Sequence, residues 1–541
     1  MRHNDDDLYA TGEASPMHMT ESTWFVIAIV IYMFTMLAIG YWSYVRTSKY
    51  DDYVLGDRGL NPFVAALSAG ASDMSGWLLM GLPGALFVSG LSELWIAVGL
   101  LIGSFVSWSI VAPRLRSYSE IAQNSITLPS FFGNRLRDHT RSVRVTAALI
   151  IILFFTFYVS SGMVSGGRYF EATFGGDYLT GMIIVAAVTV AYTFIGGFLA
   201  VSYTDVVQGL IMFLALILVP TMALLTLDNP SDIFTWATEH DYGPWTDGTG
   251  NPEFFSMFTG VSVATLIGHL AWGLGYFGQP HIVIRYMALR KPSEARRGRM
   301  WGILWMGLCV LGALATATVG TVFFSQNPDI AVTDREAFET IFLDMGRILF
   351  HPLIAGLVLT AVLAAIMSTM SSQLLVVSSS LIEDLLTIFL KKRPEEMVLV
   401  NLSRTAVVAV SVVAAALAVN PNDSILGLVA FAWAGFGSAF GPLMLFSLYW
   451  KRLNTAGALA GMVTGAVVSF VWGSVEALSG MIYEMVPGFA AAALVTWIVS
   501  SLTRDPSAEV QSDFERASQL AKIAESDPDV DIAEAGRRLE A

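Results

Sequence analysis

Apolar runs of about twenty residues recur along almost the whole of this 541-residue chain, and they constrain its fold more than any other feature. A run of that length matches the hydrocarbon thickness of a bilayer, where every backbone N–H and C=O must find its partner inside the protein. The pattern predicts an all-α polytopic membrane protein with about thirteen transmembrane helices. These begin near residues 24, 62, 92, 145, 179, 205, 258, 299, 347, 400, 424, 455 and 482. Composition agrees: 14% of residues are charged and mean hydropathy is +0.61, whereas a soluble chain carries about 25% charged residues. The first run, Trp24 to about Val45, is too long for a signal-peptide core and lacks a basic leader, so it reads as a retained span. The one cysteine, Cys309, lies in an apolar run, which excludes a disulfide framework and a cysteine metal site.

Charge is distributed by side. Basic residues follow the odd-numbered runs: Arg46 and Lys49; Arg114, Arg116, Arg135, Arg137, Arg141 and Arg144; Arg285, Arg290, Lys291, Arg296, Arg297 and Arg299; Lys391, Lys392 and Arg393; Lys451 and Arg452. In a thirteen-span count all of these fall on one side, and the acidic loop from about Asp228 to Glu253 falls on the other. The positive-inside rule then predicts an outer N-terminus and a cytoplasmic C-terminus. Residues 1–22 read as an acidic extracytoplasmic tail and 23–503 as the membrane domain. Residues 504–541 read as a solvated cytoplasmic tail with a helical pattern from about Glu509 to Glu525, a regulatory or docking segment being the alternative. The net charge of −14 and the absence of a basic face argue against nucleic acid as a partner.

Three stretches break the uniformity of the membrane runs. "SAGASDMSGWLLMGLPGA" (68–85) carries Asp73 near mid-span among Ser and Gly. A carboxylate at that depth costs on the order of 3 kcal/mol, so such residues face a cavity or a cation. The surrounding glycines, with Pro83, weaken a regular helix, and an unwound turn frees carbonyl oxygens that suit a hard cation. "AWGLGYFGQPHIVIR" (271–285) breaks the seventh run with glycines and Pro280, and its aromatic rings suit the wall of a small-solute pocket. Its GxGxxG spacing has no preceding strand and is no dinucleotide site. Two interrupted spans about two hundred residues apart point to an inverted-repeat secondary transporter. "TAVLAAIMSTMSSQLLVVSSS" (360–380) clusters Ser368, Thr369, Ser371 and Ser372, candidate cation ligands in an otherwise apolar helix. An intramembrane enzyme finds little support: no HExxH occurs, and His269 and His281 read as hydrogen-bonded structural residues. The residues after Arg504 are too few for a fused signalling domain.

These stretches, with "GGFLAVSYTDVVQGLIMF" (196–213), "GYFGQPHI" and "AAIMSTMSSQLL", resemble the sodium/solute symporter family in order and spacing over roughly residues 22–505, closest to its proline-transporting bacterial members. The resemblance implies a leucine-transporter-type core of two inverted five-helix repeats, about 62–226 and 258–450. It implies Na⁺-coupled uptake of L-proline with no cofactor; a Na⁺- or H⁺-coupled carrier of another small amino acid or carboxylate is the alternative. Carried over, the Na⁺ site uses backbone oxygens of Ala71, Met74 and Ala365 and the hydroxyls of Ser368 and Thr369, with Asp73 essential to coupling. Ser75, Gly76, Tyr158, Trp272, Tyr276 and Pro280 match positions that shape the solute site or its gate. Arg58 and Asp205 match positions that influence coupling.

Overall fold

A computed structural model describes residues 21–45, 49–243, 246, 249–327, 337–390, 392–420 and 425–526. The acidic run Asp5–Asp7, Arg46, Lys391 and the end of the C-terminal tail lie outside them. Apart from one bridge pairing Leu60 with Leu289, regular structure among the described residues is helical. Among the described residues, ten stretches are long and apolar enough to cross a membrane. Two of these are about double the need of a single crossing, at 45 residues (Trp77–Ile121) and 49 residues (Tyr178–Thr226). The 49-residue helix is jointed at Gly197, whose φ of 61° and ψ of −159° belong to glycine alone. A Cβ there would also lie 2.6 Å from the Tyr53 ring.

The helix Pro352–Ser379 runs through the centre of the bundle. It carries no charged residue and is largely apolar around its circumference, which suits a fully surrounded helix, and nearly all of it is buried. Around it pack Glu21–Tyr44, Ser142–Phe174 and Tyr178–Thr226, together with the first interrupted rod, 62–89.

That rod is helical from Pro62 to Asp73 and leaves helical geometry at Met74 (φ −77°, ψ 70°); it resumes through a wide π turn at Trp77–Gly81 that seats Pro83 in the next helix. The break is therefore confined to Met74–Gly76. The outlying glycines serve packing instead: a Cβ on Gly70 would meet the Trp305 ring at 2.7 Å. The second rod runs Val263–Ala271, tightens into a 3₁₀ turn over Trp272–Phe277, breaks at Gly278–Gln279 and continues as Pro280–Met287. It crosses the helix Leu94–Val106 at backbone contact, since a Cβ on Gly103 would lie 2.1 Å from the Gly273 carbonyl oxygen.

The basic loops gather at one end of the bundle. There Arg58 donates to Met287 O (2.8 Å) and Ser125 O (2.9 Å), Arg135 to Ser447 O (3.0 Å), and Arg144 to Asp384 (2.7 Å). The tail reading needs correction at this end. The helix Ala508–Ser526 is docked rather than solvated: Val510, Ala517, Ala521 and Ala524 are buried, and Phe514 packs against Tyr118 at 6.4 Å. Residues 510, 514, 517, 521 and 524 form one stripe, a face that stays apolar while the rest of the tail is charged.

Candidate functional site

The break after Asp73 faces the central helix. The Ser368 hydroxyl donates to Ala71 O at 2.7 Å and lies 3.0 Å from Ala365 O. Three oxygen atoms from two helices are thus held together by one proton. Beside them the Thr369 hydroxyl is buried and has no hydrogen-bond partner, although an unmade bond of that kind costs about 1–3 kcal/mol. Met74, the fifth of the expected ligands, is the residue at which the backbone leaves the helical ladder. Carbonyl and hydroxyl oxygens are the ligand types that hard cations take.

Asp73 turns the other way. It is 1% exposed, and its Oδ2 accepts a short hydrogen bond from the Tyr276 hydroxyl of the second rod, so the two breaks are joined through this pair. Around that junction stands an aromatic chamber. Trp272 stacks on Tyr483 (5.4 Å, 16°) and on Trp433 (6.5 Å, 26°), with Trp77 at 6.4 Å, and Tyr276 meets Trp433 edge-on at 5.5 Å. The Trp433 indole donates to Trp272 O at 2.8 Å. Tyr158 borders it as well, its buried hydroxyl next to Ser75. Gly76 sits where a Cβ would come 3.0 Å from Ser165 Oγ. Above the chamber a cavity of about 420 Å³ opens at the end opposite the basic loops, with Glu93, His269 and Trp272 among its lining.

Of the expected residues, Ala71, Ala365 and Ser368 meet in the first cluster, and Thr369 is the next residue on the central helix. Ser75, Gly76, Tyr158, Trp272 and Tyr276 surround the second. Pro280 opens the helix after the second break and serves as its first turn. Arg58 lies apart, at the basic end. Asp205 is fully buried, hydrogen-bonded by Ser68 (2.7 Å), which lies one turn before Ala71, and paired with Arg285 (3.1 Å).

Two sequence readings are overturned. Arg285 is no loop residue; it is 0% exposed and inside the bundle. The reason is Asp205, a partner 80 residues away in sequence, whose charge balances it. His281 is not hydrogen-bonded: both ring nitrogens lack partners, and the ring packs edge-on against Phe155 (5.5 Å) and Tyr158 (6.1 Å). Sequence reasoning also missed Trp433 and Tyr483. Nothing local marked them, since each sits among apolar residues like any packing aromatic. The positional signal that existed was Gly275, at which a Cβ would lie 2.1 Å from the Trp433 indole nitrogen.

The profile of the "Sodium:solute symporter family" matches residues 53–465. The high-affinity proline transporter PutP of Bacillus subtilis is 52% identical over 88% of this chain and 98% of its own length. The sodium/proline symporter of Salmonella typhimurium is 46% identical over 92% of this chain and 97% of its own. Among solved structures, a substrate-bound, outward-open Na⁺-coupled sialic acid symporter superposes with a TM-score of 0.75 at 19% identity, covering 90% of this chain and 99% of that one. Mhp1, a nucleobase-cation-symport-1 family transporter, superposes with a TM-score of 0.54 at 14% identity, covering 86% and 98%. At these identities the two likenesses show the fold: a leucine-transporter-type helical core.

Proposed function

The chain belongs to the sodium:solute symporter family, a family of transporters rather than enzymes, and from that premise we propose that it carries L-proline into the cell together with Na⁺. It is a multi-pass membrane protein and a secondary active transporter, and Na⁺ is its coupling ion. The observation that carries the reading is the meeting of Ala71 O, Ala365 O and Ser368 Oγ beside the unpartnered Thr369 hydroxyl, at the edge of a broken helix. In this proposal those atoms and the Met74 carbonyl hold Na⁺. Proline lies between the two breaks, against Ser75, Gly76, Tyr158, Trp272 and Tyr276, and Pro280 fixes the start of the helix below it.

The geometry supports coupling as follows. Na⁺ enters where Ser368 now bonds Ala71 and pulls the first rod onto the central helix, which sets Met74–Gly76. That segment is also one wall of the solute chamber, so filling one site shapes the other. Ion and solute then raise each other's affinity by the same factor, a coupling of typically 1–3 kcal/mol. Asp73, bonded across to Tyr276, links the breaks so that the two rods move as a pair. Arg58, which ties the inner end of the second rod to the 119–125 loop, and Asp205 transmit that movement inward.

The topology proposed with this function has thirteen crossings, with the N-terminus outside and the end that gathers Arg58, Arg135 and Arg144 in the cytoplasm. Proline is a zwitterion of zero net charge, so symport with Na⁺ moves charge inward. The test is uptake of labelled proline and a panel of other small solutes into proteoliposomes under an imposed Na⁺ gradient. Accumulation of proline that follows the Na⁺ gradient and collapses in Na⁺-free buffer is expected. Proline uptake driven equally by a proton gradient in the absence of Na⁺, or uptake of another panel member in its place, would refute it.

A further inference from the structure

Several cations at the basic end are held by carboxylates of the chain: Arg116 by Glu120 (2.8 Å), Arg290 by Glu294 (2.7 Å) and Arg452 by Asp505 (3.0 Å). Arg296, Arg297 and Arg299 differ. They open the helix Ala295–Gln326, and among the described residues no carboxylate pairs with any of them.

Two of the three border a cavity. A space of about 290 Å³ lies between the start of that helix, the π turn Ser107–Val111 and the tail helix Ala508–Ser526. Its wall includes Trp108, Ser109, Arg296, Arg299, Ala521 and Ala524. Arg299 is fixed in place: its guanidinium lies over the Phe105 ring at 4.7 Å, and Nη1 donates to Ser109 Oγ at 2.7 Å. Its Nε and Nη2 make no hydrogen bond to the described residues. A planar guanidinium with donors to spare is the group that grips a phosphate oxygen pair. Arg296 precedes it by three residues, which puts both on one face of the helix. Arg297 is exposed and takes no part in the wall. On the tail side Ala521 and Ala524 are small, so the docked helix leaves the space open.

The surroundings say what kind of anion fits. Directly after Arg299 the helix becomes apolar and outward-facing, with Met300, Trp301 and Leu304 exposed; Ile102 and Phe105 are exposed on the adjoining helix Leu94–Val106. Tryptophan at such a boundary marks headgroup depth. Leu304 stands about 12 Å along the axis from Arg296 at 1.5 Å per residue. A ligand with one phosphate and long acyl chains meets the arginines at one end and this apolar wall at the other. A free phosphate would use only the first.

We propose that this cavity binds the headgroup of an anionic phospholipid from the leaflet at the basic end. The phosphodiester lies between Arg296 and Arg299, and the acyl chains run along Phe105, Ile102, Met300 and Leu304. Basic pockets between membrane helices on the cytoplasmic side hold anionic headgroups in this way, by charge and hydrogen bonds together.

The test is native mass spectrometry of the purified full-length protein titrated with phosphatidylglycerol, and in parallel with phosphatidylcholine of the same acyl chains. Wild type is expected to retain one phosphatidylglycerol in preference to phosphatidylcholine. Arg296→Gln combined with Arg299→Gln should weaken that retention by about tenfold or more. Arg297→Gln, which removes an equal charge next to the cavity, should retain the lipid as wild type does. Equal retention of the two lipids by wild type, or undiminished retention by the double variant, overturns the proposal. So does an equal loss in Arg297→Gln, which would mean attraction to surface charge alone. Displacement of the lipid by excess inorganic phosphate would make this a free-anion site and overturn it too. The acidic stretch after Ser526 is the rival occupant: a chain ending at Ser526 should retain the lipid as the full chain does, and a rise of about tenfold on that truncation would assign the cavity to the tail instead. Arg296 is exposed, so Arg296→Gln alone carries the same criteria should the double variant fail to elute as a monodisperse species.

Discussion

Thr369→Val separates an ion ligand from a structural hydroxyl. Valine keeps the branched shape and removes only the oxygen, and that oxygen is buried with no hydrogen-bond partner within the protein. Nothing is therefore lost from the ion-free fold. The substitution relieves an unmade hydrogen bond worth about 1–3 kcal/mol, so ion-free stability holds or rises. The Na⁺-bound state loses one ligand to a charged centre, roughly 1.5–3 kcal/mol on the scale of hydrogen bonds to charged groups. At about 1.4 kcal/mol per decade this weakens Na⁺ binding by about 10- to 100-fold. The two effects give a paired signature in thermal denaturation. Wild-type protein at a Na⁺ concentration of 100 times its Kd gains about 2.7 kcal/mol from the ion, and a 100-fold weaker variant gains only about 0.4 kcal/mol at the same concentration. The expected result is a variant at least as stable as wild type without Na⁺ and less stable with it, whose half-saturating Na⁺ for proline uptake rises in step. An unchanged Na⁺ half-saturation, or a drop in stability already present without Na⁺, refutes the assignment of Thr369.

Asp73→Asn keeps the acceptor for Tyr276 and removes the charge, so Na⁺-driven accumulation in proteoliposomes should be abolished while the purified protein still folds; normal accumulation would count against a coupling role. Trp272→Ala deletes stacking on both Tyr483 and Trp433, about 0.5–1.5 kcal/mol each, so proline affinity should fall by roughly tenfold or more. Na⁺ half-saturation at saturating proline should stay nearly unchanged, and Trp272→Phe should recover most of the affinity. Gly275→Ala puts a methyl 2.1 Å from the Trp433 indole nitrogen, so thermal stability should fall by about 1–3 kcal/mol and proline binding with it. The pairs Arg137–Asp513 and Lys451–Glu515, which help to dock the tail helix, are surface contacts worth about 0.2–1 kcal/mol each. Limited proteolysis of the tail should therefore change little in high salt and increase sharply in Phe514→Asp.

How much of this was legible in the sequence follows from the range over which each signal acts. The breaks at Met74–Gly76 and Gly278–Gln279 are written locally, because glycine, serine and proline alter the backbone where they stand. The hydroxyl cluster and Asp73 stood out because polar atoms in a membrane run have few innocent explanations. Trp433, Tyr483 and the docked face of the tail were invisible for the converse reason: each is an apolar residue whose partner lies far off in sequence, and any partner would have suited its composition. Arg285 is the instructive failure. Its position at the end of an apolar run, beside Arg290 and Lys291, is that of a loop arginine, and the charge rule that orients the bundle counts it as one. Only the fold brings Asp205 to it and takes both charges out of water. Once paired, the two have no net charge to set against the membrane, so the arginine stops acting as a topology signal. The same logic applies to any membrane run: a basic residue at its edge is orienting only if no buried carboxylate in another helix lies within a side chain's reach.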